Sequence, residues 1–168
     1  MPVATTAGTS LVRSHYWVPY GYILPYQEQV SAIDDAGNMS LTPSAGLSRT
    51  ATVYQQSLSS FTYSSGWGSS SSTVYSGGSA RYSSTVGKYV SFKASGQSFG
   101  FLTYRASTRG RARIYVDGVL KGTLTLTSST VKARNLAYTI TFATSGTHTI
   151  KVVVYSGRVD VDGFVVLR

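Results

Sequence analysis

A serine, an aspartate and a histidine follow one another in an order that a hydrolase could use. Gly96-Gln97-Ser98-Phe99-Gly100 has the spacing of a nucleophile elbow, and Asp117 and His148 come after it. Such an elbow needs a strand turning sharply into a helix. The residues beyond Gly100 carry strand patterns instead, so no nucleophile is expected at Ser98 and no enzyme is expected overall. A hydrolase built on two carboxylates is not expected either: the acids are Glu28, Asp34, Asp35, Asp117, Asp160 and Asp162, and three of these stand in turn contexts. His148 opens a strand just after Gly146, where bonding to the turn is its expected role. No glycine-rich loop leads into a helix, so no phosphate cradle is present. The chain has no cysteine, which excludes disulfides, thiol chemistry and thiolate zinc sites.

Binding chemistry is better represented. Trp67 in a Ser/Gly loop, Tyr82, and Tyr104 ahead of the 105–110 loop are rings against which a sugar could stack, although packing in a core or on a sheet face is the commoner role for each taken singly. Arg105, Arg109, Arg111 and Arg113 form the one local concentration of basic residues, suited to phosphates or an anionic glycan. Arg111 and Arg113 alternate, which is also what an exposed strand would show. A nucleic-acid site would need rings interleaved with these arginines on an open groove, and only Tyr104 and Tyr115 are near. The formal charge of +9, from 15 Lys+Arg against 6 Asp+Glu, favours acidic partners. No cofactor is expected.

These residues must be held by strands. Ser, Thr, Gly, Tyr and Val dominate, and Glu occurs once, a composition poor in helix formers. At 168 residues the chain has room for one ordinary domain plus an arm. From Arg49 onward strand signals recur every 8 to 12 residues or so, the spacing of a sandwich or jelly roll. Expected strands are 51–55, 60–64, 73–75, 89–94, 98–104, 111–117, 122–127, 137–143, 147–155 and 159–167. Ala112, Ile114 and Val116 share one face, as do Ile150, Val152 and Val154; these six, with Phe164 and Val166, are the expected core. Asp117-Gly118 predicts a tight hairpin, and Thr144-Ser145-Gly146 a second, weaker turn. No apolar run reaches the length of a membrane span.

The first 48 residues differ. Ala4 to Ser10 is small and polar, and an aromatic stretch follows that contains Tyr16, Trp17, Tyr20, Tyr22, Ile23 and Tyr26 with Pro19 and Pro25. The prolines exclude a helix or central strand. So much apolar surface must pack on something, either the neighbouring sandwich or a partner subunit. Residues 27–33 alternate as a short strand. The start, Met1-Pro2-Val3-Ala4-Thr5-Thr6, lacks the basic and apolar regions of a secretion signal; the expectation is assembly from the cytoplasm into a virion, or an extracellular protein whose signal has been removed.

Two resemblances organise these readings. Val30 to Ser40, with its Asp34-Asp35-Ala36-Gly37-Asn38 turn, resembles the late strand and turn of fibronectin type III and bacterial immunoglobulin-like domains, but only a remnant of one fits. Trp67, Ser76-Gly77-Gly78-Ser79-Ala80-Arg81-Tyr82-Ser83 and the run Thr108 to Gly118 begin the second pattern; Ser145 to Val152 and Val159 to Leu167 complete it. Together they resemble a galactose-binding-like, carbohydrate-binding-module-like jelly roll found at the C-terminus of secreted Gram-positive bacterial proteins. The resemblance covers about residues 55–168 and implies an all-β antiparallel sandwich (49–168) behind an arm and linker (1–48). It also implies glycan binding, neutral or anionic, for which Trp67, Tyr82, Tyr104 and Arg109 are the candidate contacts. In related sandwiches an aspartate near the end holds a structural calcium; Asp160 and Asp162 are the candidates here, with too few other acids for a strong site. The expected function is non-catalytic display or binding: a phage virion accessory protein (head decoration or tail-associated) docked on other subunits through the arm. The alternative is a cell-wall or polysaccharide-binding module of a secreted protein, and a nucleic-acid-binding module is a lesser one.

Overall fold

The computed structural model describes residues 24–28 and 47–168, with side chains from Ala51 onward. Strands β1 (Leu24–Glu28), β2 (Leu47–Gln55), β3 (Phe61–Tyr63), β4 (Gly68–Ser71), β5 (Ser79–Ser83) and β6 (Tyr89–Arg105) come first. They are followed by β7 (Arg111–Val116), β8 (Val119–Thr125), β9 (Lys132–Ser156), β10 (Val159–Val161) and β11 (Gly163–Leu167). Every ladder is antiparallel. The larger sheet runs β1-β2-β11-β6-β9-β7-β8, with β3 pairing the start of β6, and the smaller runs β10-β5-β4. The protein is an all-β antiparallel sandwich of the jelly-roll kind.

Its core follows the alternation of the sequence. Ala112, Ile114, Val116, Ile150, Val152, Val154, Phe164 and Val166 are all buried, as expected from their shared phase. Phe61, Phe92, Phe101 and Phe164 form its aromatic centre, with the Phe92 and Phe164 rings stacked at 4.6 Å between centroids. Val159 and Val161 of β10 belong to the same cluster and tie the smaller sheet to the larger. Asp117 and Gly118 both take positive φ, 49° and 83°, in the tight turn between β7 and β8.

Several expected boundaries move. β6 and β9 each absorb two expected strands. Their pairing slips between Gly96 and Ser98, where one residue of β6 faces four of β9, so the 144–146 stretch is an irregularity within β9 and not a chain-reversing turn. Residues 73–75 are not a strand. They lie in a loop that ends in a single 3-10 turn, Ser76–Gly78, and Tyr75 turns inward. The expected strand 159–167 is two, and β10 leaves the larger sheet to pair β5. The polar strand β4 has no counterpart among the expected strands. Pro25 sits in β1, at the sheet edge where its missing N–H leaves no gap in a central ladder. The fibronectin-like run and the aromatic residues before Leu24 lie outside the described residues.

Candidate functional site

Asp160 lies at the middle of β10 with a side chain wholly removed from solvent. A buried carboxylate persists only when its charge is met, and two guanidinium groups meet this one. Arg109 donates through Nε to Oδ2. Arg158 donates to Oδ1 through Nε at 2.9 Å and Nη2 at 2.7 Å. The Tyr75 hydroxyl lies 3.4 Å from Oδ1. Each arginine also lies over a tyrosine ring, Arg109 at 4.7 Å from the Tyr104 centroid and Arg158 at 3.8 Å from that of Tyr82. Tyr75 meets Tyr104 edge-on at 5.9 Å. One carboxylate thus fixes two cations, and the cations fix two half-exposed rings.

The loops that bring these groups together are tightly tied. Arg109 N donates to Ala106 O, Gly110 N to Arg158 O at 2.9 Å, and Thr127 Oγ1 to Arg109 O at 2.6 Å. A side chain at Gly110 would overlap the Ser156 carbonyl, so glycine is what allows the 106–110 loop to touch the chain before β10. Asp162, two residues beyond Asp160, is also buried, but it receives one hydrogen bond, from Ser76 N to Oδ1 at 2.8 Å. Its Oδ2 has no hydrogen-bond partner. Burial pushes its carboxyl up to about 7, against the pull of the Ser76 N–H and of Arg134. Arg134 takes a positive φ of 48° and donates to the carbonyls of Thr73 and Tyr75, closing the loop over this end of the sandwich.

Of the four expected ligand contacts, Tyr82, Tyr104 and Arg109 converge around Asp160. Trp67 does not join them. It is 9 % exposed, donates from Nε1 to Ser64 Oγ at 3.3 Å and packs its ring against Tyr63 at 5.2 Å. Arg158 and Tyr75 belong to the cluster although sequence reasoning passed over them. For Arg158 a signal existed, because residues two apart on a strand share a face and Arg158 stands two before Asp160.

The two weak metal candidates are Asp160 and Asp162, and they do not suit calcium. That ion takes six to eight or so oxygens, whereas both oxygens of Asp160 are held by cations and Asp162 is bound by a backbone N–H. Among the described residues no group of three or more His, Cys, Asp or Glu could hold a metal ion. The hydrolase-like trio does not assemble. Asp117 and His148 pair at 2.7 Å, and the imidazole stacks on Phe142 with centroids 3.5 Å apart. Ser98 instead lies in the middle of β6, bonded to Thr141 Oγ1 at 2.9 Å. It alternates with the buried Phe99, whose ring also meets His148, edge-on at 5.7 Å between centroids.

Solved proteins share this architecture. A family two carbohydrate esterase from Cellvibrio japonicus superposes with a TM-score of 0.55 at 12% identity, covering 71% of this chain and 34% of its own. A two-domain esterase active on acetylated mannans gives 0.54 at 14% identity, over 68% of this chain and 35% of its own. The chain therefore spans about a third of the length of each, and at these identities the likeness is one of fold. The CBM36-1 domain of a multidomain xylanase from the hindgut metagenome of Trinervitermes trinervoides matches over 69% of this chain and 95% of its own, with 20% identity and a TM-score of 0.48. No protein-family model and no curated protein matches the chain. Among the described residues no helix is long and apolar enough to cross a membrane.

Proposed function

We propose that the chain is a non-catalytic glycan-binding module that meets its ligand at the end of the sandwich where Tyr82, Tyr104, Arg109 and Arg158 gather. The observation that carries this reading is the shared carboxylate. Asp160 holds both guanidinium groups in fixed positions beside half-exposed rings, so little side-chain freedom is lost when a ligand arrives. A tyrosine face takes the apolar face of a sugar ring, and arginine N–H groups take its hydroxyls or acidic substituents. Support from outside the chain is the fold shared with the two esterases, one of them active on acetylated mannans.

The test is a glycan array and a cell-wall pull-down at low salt, with the intact protein and the Tyr104→Ala variant. Binding by the former, lost in a variant that melts normally, is the expected outcome. A blank result for the intact protein, or binding to every glycan that is indifferent to Tyr104, overturns the reading. Carriage of this module on a virion, or on a secreted protein bound to a bacterial surface, is a separate proposal. It rests on the aromatic arm, of which only Leu24–Glu28 is described.

A further inference from the structure

We propose that the outer face of the larger sheet, across β6, β9 and β7, binds an acidic polysaccharide through cations mounted on tyrosine rings. This adds a second surface to the glycan-binding reading, away from the Asp160 cluster. Register places Tyr89, Val153 and Arg113 in one row across the three strands, and Ser91, Lys151 and Tyr115 in the next. All six alternate with core residues and so point outward. The Lys151 ammonium sits 4.0 Å from the centre of the Tyr89 ring, and Arg113 and Arg111 sit 4.3 and 5.3 Å from that of Tyr155. A shallow depression lined by Tyr115, Thr149, Lys151 and Val153 runs along β9 between these groups.

Charge decides the occupant. Between Tyr89 and Ser156 the only acid is Asp117, in the turn at the rim of this face. Its carboxylate is already engaged, by Thr149 N at 2.8 Å and His148 Nδ1 at 2.7 Å. Among the described residues, Lys93, Lys151, Arg111 and Arg113 therefore stand on the face without a neutralising partner carboxylate, in a chain of net charge +9. A partner that supplies negative groups along an extended line complements them. Among polyanions, single-stranded nucleic acid draws much of its binding from bases stacked on open rings. Here the Tyr89 and Tyr155 rings carry cations, which presents charge where a base would need a bare ring. The arrangement thus favours a polymer of carboxylate or sulfate groups on sugar rings.

The probe is polygalacturonate, with dextran as the uncharged control and oligothymidylate as the rival polyanion. Binding to polygalacturonate should appear at low ionic strength, vanish as salt is raised, and be absent for dextran. Changing Arg113→Gln together with Lys151→Gln should weaken it at least about tenfold with melting unchanged, since these half-buried side chains act here mainly through the field their charges set up. Should that pair disturb the fold, Arg111→Gln with Lys93→Gln changes two more exposed side chains and should weaken binding in the same way. Tyr104→Ala should leave it intact, which separates failure at this face from failure at the loop end. No binding to polygalacturonate, binding untouched by both double variants, or tighter binding of oligothymidylate through the same residues overturns the proposal.

Discussion

Asp160 and Asp162 lie two residues apart, both wholly buried, and meet opposite fates. Removing a carboxylate from water is strongly unfavourable unless its charge is returned by partners, and Asp160 has two guanidinium groups for that purpose. Asp162 has one backbone N–H and an Oδ2 without a partner, so its neutral form is favoured and its carboxyl is pushed up to about 7. In the unfolded chain the same group titrates near its ordinary value of about 4. The folded protein therefore holds a proton that the unfolded chain has lost between those two values. Stability from this group is full below about pH 4, is lost as pH rises through about 7, and is level above it, with an amplitude on the order of a few kcal/mol. Asp162→Asn keeps an acceptor for the Ser76 N–H and cannot ionise. Melting temperatures measured from pH 4.5 to pH 8 should fall for the native chain across that interval and stay flatter for the variant, which should be the more stable of the two at pH 8. Equal slopes would show that Arg134 compensates the charge and that burial does not govern Asp162.

At the level of elements, the sandwich depends on places where strands bend or touch, and these are what sequence patterns show least well. Gly110 is one: its missing side chain lets the 106–110 loop lie on the carbonyl of Ser156, which in turn aligns Arg109 with Arg158 across a β-bridge. Gly110→Ala should therefore destabilise by about 1–3 kcal/mol and weaken glycan binding at the loop end, while Gly122→Ala, with open space around it, should do neither. Denaturant melts beside the array assay would check both, and a Gly110→Ala protein that behaves like the Gly122→Ala control would sink the idea. The faces of β7, β9 and β11 were legible because apolar residues recur there with period two. The joints of β6 and β9 were not, since Gly96-Gln97 and Phe142–Gly146 interrupt the pattern in the same way whether the chain reverses or bulges; only partner register distinguishes them. β4 is Gly-Ser-Ser-Ser, with no apolar phase to read, and is held by its ladder to β5. Thr73-Val74-Tyr75 has strand composition, yet Tyr75 is drawn inward to Asp160 and Tyr104, and the backbone follows it into a turn. Tyr82, Tyr104 and Arg109 could be chosen from the motif that carries them, but the ion pair that ties Arg109 to Asp160 spans 51 positions of sequence and leaves no local trace.

The whole molecule joins a basic sandwich to an N-terminal segment whose last described residues are already part of the sheet. Leu24–Glu28 pairs with β2 in register from Leu24↔Ala51 to Glu28↔Leu47, adding a strand to an edge that would otherwise expose its N–H and C=O groups. Deletion should therefore stop before Leu24, because removing residues 24–28 would bare β2 and confuse loss of docking with loss of the sheet edge. The docking proposal concerns the residues ahead of β1, with Tyr16, Trp17, Tyr20, Tyr22 and Ile23 as its anchors. Large rings of this kind dominate the energy of interfaces, and prolines such as Pro19 lower the entropy lost when a segment docks. If those residues serve a partner, removing residues 1–23 leaves the melting temperature of the sandwich and its glycan binding almost unchanged while higher-order assembly disappears. Sedimentation over a wide concentration range, alongside incorporation into particles or larger complexes, reads the second effect, and thermal melting reads the first. If the same deletion lowers the melting temperature sharply and the intact protein is monomeric throughout, the rings pack on their own sandwich and the docking proposal fails.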